Sequence, residues 1–207
     1  VHFDSAADRT SRNWIKGANS KLPDSIALVW ADRVSSDFHA RFSATARTYR
    51  YVIAASEARP GILSKGVTWI KYPLNAAAMQ LACAHLLGEQ DFSAFRGAGC
   101  QSLSPFRNVT SANIYQHGQL LIFEVTANAF VLHMVRNMIG SLMEVGFGRQ
   151  EPSWINSLLA QGDRCKSAAT AAPNGLYLVD VRYPSKLGIP KMPLGPLFLP
   201  DQLSHAS

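Results

Sequence analysis

Two apolar runs with one turn signal between them most constrain the fold of this 207-residue chain. Residues 109–128 read VTSANIYQHGQLLIFEVTAN, two strand-like runs that meet at His117-Gly118, which is typical of a hairpin turn. A hairpin makes its two strands pair antiparallel. No repeated unit of strand and helix accompanies it, so the pattern argues against a doubly wound parallel sheet. The sequence therefore predicts an α+β fold.

The remaining elements predict a sheet with helices on one face. Residues Val1 to Asp4 resemble the end of a strand, and Met79, Leu81, Leu86 and Leu87 are expected to be buried. The predicted elements are a short helix around Trp14 and Ile15, a buried strand at 25–34, a strand at 45–55, a helix capped by Asn75 and Gly88, a helix at 129–145, a short helix after Pro152, and a last strand at 175–183.

Composition narrows the class of protein. Lys and Arg number 20 against 14 Asp and Glu, and the resulting net charge of +6 favours polyanionic partners. The cysteines, Cys83, Cys100 and Cys165, are far apart and form no metal-binding motif, which is typical of reduced thiols in a cytosolic protein. Neither a membrane-spanning run nor a signal peptide is evident, so a cytoplasmic protein without membrane contact is expected. Serine-hydrolase, zinc-protease and P-loop signatures do not occur.

The helix predicted at 129–145 carries polar residues on an otherwise apolar surface. His133, Arg136, Asn137 and Gly140 are spaced so as to form one stripe along the helix. A buried guanidinium requires a partner, because an unpaired buried charge is costly. Two interpretations stay open on this pattern. Arg136 either bonds a structural carboxylate or carbonyl, or lines a cleft and orients an anionic group there.

The strand ATARTYRYVI, residues 44–53, alternates aromatic and cationic side chains. A period of two places Tyr49 and Tyr51 on one face and Arg50 on the other. Tyrosines on an inner face commonly belong to the core. Arginines interleaved with aromatics are instead typical of RNA binding, in which phosphates bind cations and exposed bases stack. The cations of this region are His39, Arg41, Arg47 and Arg50.

Five segments together resemble bacterial tRNA pseudouridine synthase A, and the match runs in order from residue 1 to about residue 200. The resemblance implies a mostly antiparallel sheet flanked by helices, in two similar halves of which the first is incomplete here. It also implies a homodimer that binds tRNA, isomerises uridine to pseudouridine on the 3′ side of the anticodon stem-loop, and uses neither metal nor organic cofactor. The segments are FHARFSATARTYRY, GEQDFSAFR, NAFVLHMVRNMIGSLMEVG, GLYLVDVRYP and MPLGPLFL.

The same resemblance implies roles for individual residues of the active site. Tyr49 matches the family's active-site tyrosine, which stacks on the target base and assists proton removal from C5. Arg136 matches the arginine that pairs with the catalytic aspartate, and Leu176 matches an apolar residue beside the uracil. The resemblance also implies RNA contacts for four cations, which are His39, Arg41, Arg47 and Arg50.

The nucleophile of the family is an aspartate in a Gly-Arg-Thr-Asp segment, which is expected to lie upstream of Val1. The chain by itself is then expected to be inactive, and two alternatives to an enzyme are a tRNA-binding module without catalysis and a remnant with an unpaired sheet edge. The predicted organisation is a remainder of the first half at 1–35, a catalytic and RNA-binding half at 36–183, and a proline-rich tail at 184–207 that packs on the surface.

Overall fold

The structure is a computed structural model that describes residues 1–200 and 202–203. Its backbone divides into two units. The first unit comprises residues 1–44 and 183–190, and the second comprises residues 45–182 together with the chain from residue 191 onward. Five residues of the predicted tail, at positions 201 and 204–207, lie outside the described part of the chain.

The first unit contains one α-helix, α1 (Ser11–Asn19), as the sequence predicts. Thr10 caps it, because its Oγ1 accepts a hydrogen bond from the backbone N–H of Asn13 at 3.3 Å. At the other end the amide of Asn19 donates to the Leu28 carbonyl and accepts from the Leu28 N–H, at 2.9 and 2.7 Å. The unit also includes a 3₁₀ turn at Ser185–Leu187.

The buried strand predicted at 25–34 is wrong, and so is the strand end predicted at residues 1–4. Ile26 and Val29 are 56% and 71% exposed. No strand among the described residues runs beside either segment, so their backbone groups lack the partners that a sheet requires. An apolar run alone does not specify a strand, because the ladder bonds come from a second segment.

The second unit is built on a six-stranded sheet, in which β2, β1, β5, β4 and β3 lie side by side and β6 pairs with β1 on the same side as β2. Only the pairing of β1 with β2 is parallel, which confirms the predicted α+β fold with a mostly antiparallel sheet. The predicted hairpin is confirmed as β4 and β5, which turn at Gly118. The strands are β1 (Ala46–Ala55), β2 (Thr68–Ile70), β3 (Gly88–Asp91), β4 (Phe106–His117), β5 (Leu120–Ala127) and β6 (Leu176–Arg182).

Three helices pack on one face of this sheet, α2 (Ala76–Cys83), α3 (Met134–Gly146) and α4 (Trp154–Gln161). The predicted N-cap of α2 is confirmed, since Asn75 accepts from the Ala78 N–H at 2.9 Å. The predicted end at Gly88 is wrong, because a 3₁₀ turn, Ala84–Leu86, follows α2 and Gly88 begins β3. Leu81 and Leu87 are exposed, since the buried face of α2 runs through Met79, Ala82 and Cys83, and the 3₁₀ turn buries Leu86 instead.

The two faces of the sheet have different neighbours. Tyr51 and Ile53 of β1 lie in the core shared with the helices. Val52 and Ala54 point the other way, into a smaller apolar cluster that includes Leu199 of the C-terminal segment. The period of two predicted for β1 is therefore confirmed. Among residues 1–200 and 202–203, no helix has both the length and the apolar character that a membrane crossing requires.

Candidate active site

A cavity of about 120 Å³ opens where β1 and β6 face the start of α3. All of its lining residues belong to the second unit. Three of the residues singled out from the sequence, Tyr49, Arg136 and Leu176, come together here although they are far apart along the chain. The lining consists of Tyr49, Phe130, Val131, His133, Met134, Val135, Arg136 and Leu176.

Tyr49 forms one wall of the cavity and is half-buried. It lies beside a β-bulge, since Thr48 pairs with Asp180 of β6 whereas Tyr49 pairs with Leu178. Bulges next to functional sites change the direction in which a side chain points. The ring of Tyr49 meets that of Phe130 edge to face, with 5.0 Å between the centroids. An aromatic corner is thus available to a flat ligand.

The hydroxyl of Tyr49 bonds to no protein group in the described part of the chain. Burial raises its pKa above the ordinary value, and the nearby charge of Arg47 opposes this shift only partly. The hydroxyl is therefore protonated at neutral pH.

The structure confirms that Arg136 bonds a carbonyl and that it lines a cavity, whereas its pairing with an anionic group stays a prediction. Its Nε donates to the carbonyl of Ala171 at 2.7 Å, and the N–H of Ala171 donates to the Arg136 carbonyl at 3.1 Å. Its two terminal amino groups donate to no other described residue, and the side chain lines the cavity. The first N–H groups of a helix also lack intrahelical acceptors, which favours an anion at the start of α3.

The polar stripe predicted along the helix at 129–145 is wrong in part, because α3 begins only at Met134. His133 precedes it in the left-handed backbone region, with φ of 60°, and lies exposed at the edge of the cavity. Asn137 is fully buried and donates to the Phe95 carbonyl at 2.8 Å. Gly140 packs against the carbonyl of Ala169. Of the four, Arg136 and His133 reach the cavity.

Sequence reasoning missed the apolar walls of the site. Phe130 and Val131 lie in the connection between β5 and α3, and Met134 and Val135 belong to the first turn of the helix. An aromatic residue in a short connection beside a candidate cationic residue is the signal that could have identified Phe130, since functional side chains concentrate in such connections.

Tyr51, whose role the pattern left undecided, belongs to the core and is fully buried. Its hydroxyl donates to the carbonyl of Ala172 at 2.8 Å and lies 2.5 Å from Thr68 Oγ1. Desolvation raises its pKa, with hydrogen bonding to Thr68 and the charge of Arg136 acting in the opposite direction. Its hydroxyl is already bonded within the fold.

The remaining predicted RNA contacts are not brought to the cavity. Arg50 is buried on the opposite face of β1, where its Nε donates to Glu124 Oε2 at 2.7 Å and Nη1 to the Gly195 carbonyl at 3.0 Å. Arg47 donates to the Asn128 carbonyl at 2.7 Å. His39 and Arg41 belong to the first unit, and both contact the ring of Phe42 there.

The buried ion pair gives Arg50 a structural role that can be measured. We expect Arg50→Met to lower the free energy of unfolding by about 3–5 kcal/mol, because Glu124 keeps its charge without a partner. Urea denaturation checks the value. In the matched control, Arg182→Met breaks the partly exposed pair with Asp180 and should cost less than about 1 kcal/mol. If Arg50→Met were as stable as the wild type but bound tRNA more weakly, the structural role would be wrong and Arg50 would be an RNA contact.

The cavity supplies a cation and aromatic surface but no carboxylate. None of its lining residues is Asp or Glu. Asp180, which pairs in register with Thr48, carries a side chain that accepts a hydrogen bond from Arg182 Nε at 3.2 Å. In residues 1–200 and 202–203 no group of three or more His, Cys, Asp or Glu side chains is placed to hold a metal ion.

A mostly antiparallel sheet that brings Tyr49 and Arg136 into the lining of one cavity is compatible with the resemblance. Comparison with known proteins identifies the class. The family model described as tRNA pseudouridine synthase matches residues 82–184. Proteins named tRNA pseudouridine synthase A are 55% identical in Vibrio cholerae serotype O1, 53% in Shewanella amazonensis and 54% in Shigella boydii serotype 4.

These relatives match nearly the whole chain. The alignments cover 99%, 97% and 97% of it, and 77%, 77% and 74% of the respective relatives. The chain therefore belongs to the tRNA pseudouridine synthase A family. The enzyme class of that family is the isomerases that form pseudouridine in tRNA.

Proposed function

We propose that this protein forms pseudouridine from uridine on the 3′ side of the tRNA anticodon stem-loop. The observation that carries the proposal is the meeting of Tyr49, Leu176 and Arg136 in one cavity. The first two offer a flat and an apolar surface to a base, and the third offers a cation to an anionic group. The specific stem-loop site follows from the family resemblance.

The reaction requires that the bond between C1′ of the ribose and N1 of uracil breaks and that the base turns. C1′ then bonds to C5, the proton of C5 passes to a base, and N1 takes up a proton, so that the product is an isomer of the substrate. Tyr49 stacks on the uracil throughout, and base stacking of this kind contributes about 1–3 kcal/mol. Leu176 excludes water beside the base. The uridine has to flip out of the base stack of the tRNA to enter the cavity, as target bases do in other enzymes that act on a nucleobase.

A carboxylate nucleophile completes the proposal, and Arg136 is its partner. A guanidinium beside a carboxyl group lowers the pKa of that group, so the carboxylate stays ionised and nucleophilic. We propose that the aspartate of the family's Gly-Arg-Thr-Asp segment supplies it from a position upstream of Val1. Neither a metal nor an organic cofactor is part of the proposed reaction.

Binding of tRNA is proposed to use cations outside the cavity as well. Arg47 on β1 and the pair His39 and Arg41 of the first unit are the candidates, and the net charge of +6 has the matching sign. The protein is proposed to act in the cytoplasm as a homodimer. Its proposed organisation is a remainder of the first half at 1–35, a catalytic and RNA-binding half at 36–183, and a proline-rich tail at 184–207.

A second candidate function is that of a tRNA-binding module without catalysis. The absence of Asp and Glu from the cavity lining favours it for this chain alone. Binding without conversion requires only phosphate contacts and a surface for the bases. The binding module is therefore predicted to bind tRNA without forming pseudouridine, whereas the enzyme is predicted to do both.

Incubation with unmodified tRNA, followed by mapping of pseudouridine at each position, tests the proposal. Conversion confined to the 3′ side of the anticodon stem-loop is the expected result for the protein that includes the aspartate segment. A tRNA with cytidine in place of these uridines is the matched control and should bind without reacting. Conversion elsewhere, or none at all in the presence of that segment, would refute the proposal. Salt-sensitive binding without conversion would support the binding module.

A further inference from the structure

A loop between α4 and β6, residues 163–174, lies directly against the start of α3. The approach is close, because the carbonyl oxygen of Ala169 leaves no room for a Cβ at Gly140 of α3. Farther along the loop, the carbonyl of Ala171 accepts from Arg136 and that of Ala172 accepts from Tyr51. The position of this loop therefore decides where Arg136 can point.

Arg164 organises the loop with both of its terminal amino groups. Nη1 donates to Ser167 Oγ at 2.8 Å and to the carbonyl of Ala168 at 3.0 Å. Nη2 donates to Thr170 Oγ1 at 2.9 Å and to Asn137 Oδ1 at 3.1 Å. The planar fork of a guanidinium can hold these acceptors at once, which the single ammonium group of lysine does not reproduce.

Thr170 and Asn137 connect Arg164 to the candidate active site. The Thr170 hydroxyl donates to Asn137 Oδ1 at 2.7 Å, and Asn137 is fully buried. Thr170 directly precedes Ala171, and Asn137 directly follows Arg136. Two hydrogen-bonded connections therefore run side by side between the loop and the helix, one through Thr170 and Asn137 and the other through Ala171 and Arg136.

We propose that Arg164 is a positioning residue for Arg136. Through Thr170 and Asn137 it fixes the Ala171 carbonyl, which holds Nε of Arg136 and thereby aims the two terminal amino groups at the cavity. This inference rests on the proposed role of Arg136 as the partner of an anionic group. Arg164 itself is not a lining residue of the cavity.

Thr170 offers the sharper pair of variants, because Thr170→Val removes only the hydroxyl whereas Thr170→Ser keeps it. Thr170 is exposed, so neither change fills or empties the core. Arg164→Lys is the second test, since it keeps the charge and loses the fork. Arg149→Lys is its control, because Arg149 lies beyond the far end of α3 and pairs with Glu144.

Hydrogen exchange of the Arg136 Nε–H, measured by NMR on ¹⁵N-arginine-labelled protein, does not depend on activity. We expect exchange to be about tenfold faster in Thr170→Val and Arg164→Lys than in Thr170→Ser and Arg149→Lys, because the bond to Ala171 opens more often. We also expect kcat to fall about tenfold or more in the first two variants with the KM for tRNA unchanged, as misplaced catalytic groups cause.

The outcomes separate this inference from the proposed function. Unchanged Nε–H exchange in Thr170→Val would overturn the positioning role whether or not the protein is active. Faster exchange with wild-type kcat would overturn it too, since Arg136 would then not need its orientation. If instead Arg136→Ala keeps wild-type turnover, the proposed role of Arg136 in the reaction is wrong. Nε–H exchange in the Thr170 and Arg164 variants would still show whether these residues hold the bond between Arg136 and Ala171.

Discussion

Replacing Tyr49 with alanine in the protein that includes the aspartate segment is expected to abolish pseudouridine formation, while tRNA binding is largely kept. The substitution removes the ring that meets Phe130 at the cavity, and with it the surface proposed to stack on the uracil. Stacking of about 1–3 kcal/mol alone corresponds to a factor of roughly 5 to 150, and loss of a group that assists proton transfer adds a further factor of about 10² or more. Affinity for tRNA depends chiefly on phosphate contacts and should change little.

Pseudouridine formation under single-turnover conditions and a filter-binding titration measure the two effects separately. Tyr49→Phe keeps the stacking surface and tests the hydroxyl, so kcat should fall by about 10²-fold without loss of the base-binding surface. Tyr72→Ala is a suitable control, since Tyr72 is an exposed aromatic of the same unit that does not line the cavity. Unchanged turnover in Tyr49→Ala would remove Tyr49 from the site.

Replacing Arg136 with alanine is expected to impair activity and stability together. In the proposed function the nucleophilic carboxylate would lose its counter-charge, and removal of one preorganised charged donor typically costs about 10²–10³ in kcat. The Ala171 carbonyl also loses its donor, and a hydrogen bond from a charged group contributes about 1.5–3 kcal/mol to stability. The rate of pseudouridine formation and the urea midpoint measure the two losses.

Two further variants show which property of Arg136 matters. Arg136→Lys keeps the charge but cannot donate to Ala171 while also presenting two amino groups, so we expect only partial recovery of activity. Arg149→Ala removes a cation that lies just past the other end of α3 and should leave turnover unchanged. Wild-type rates in Arg136→Ala would refute the pairing with a carboxylate.

Local signals predicted most of the second unit. The hairpin of β4 and β5, the period of two in β1 and the Asn75 cap each depend on neighbouring residues, which the sequence displays directly. The strand predicted at 25–34 failed because pairing depends on a distant segment. The start of α3 was misplaced because His133 adopts a left-handed backbone, which its residue type does not reveal.

The candidate site was predictable only as far as the family resemblance reached. Tyr49, Arg136 and Leu176 are separated along the chain, and no spacing rule brings them into one cavity. The burial of Arg50 was not predictable for the same reason, since its partner Glu124 lies on the neighbouring strand β5. Phe130 was missed because a single aromatic residue in a connection has no periodicity to identify it.

The hydrogen bond between Arg136 and Ala171 also bears on how an anion binds. An arginine that moves freely loses up to about 2 kcal/mol of rotational entropy when a ligand fixes it. Arg136 has already lost part of that freedom during folding, because Nε is held by a backbone carbonyl. An anionic group that enters the cavity therefore meets a donor that is already partly ordered, and a larger share of the electrostatic attraction remains as affinity.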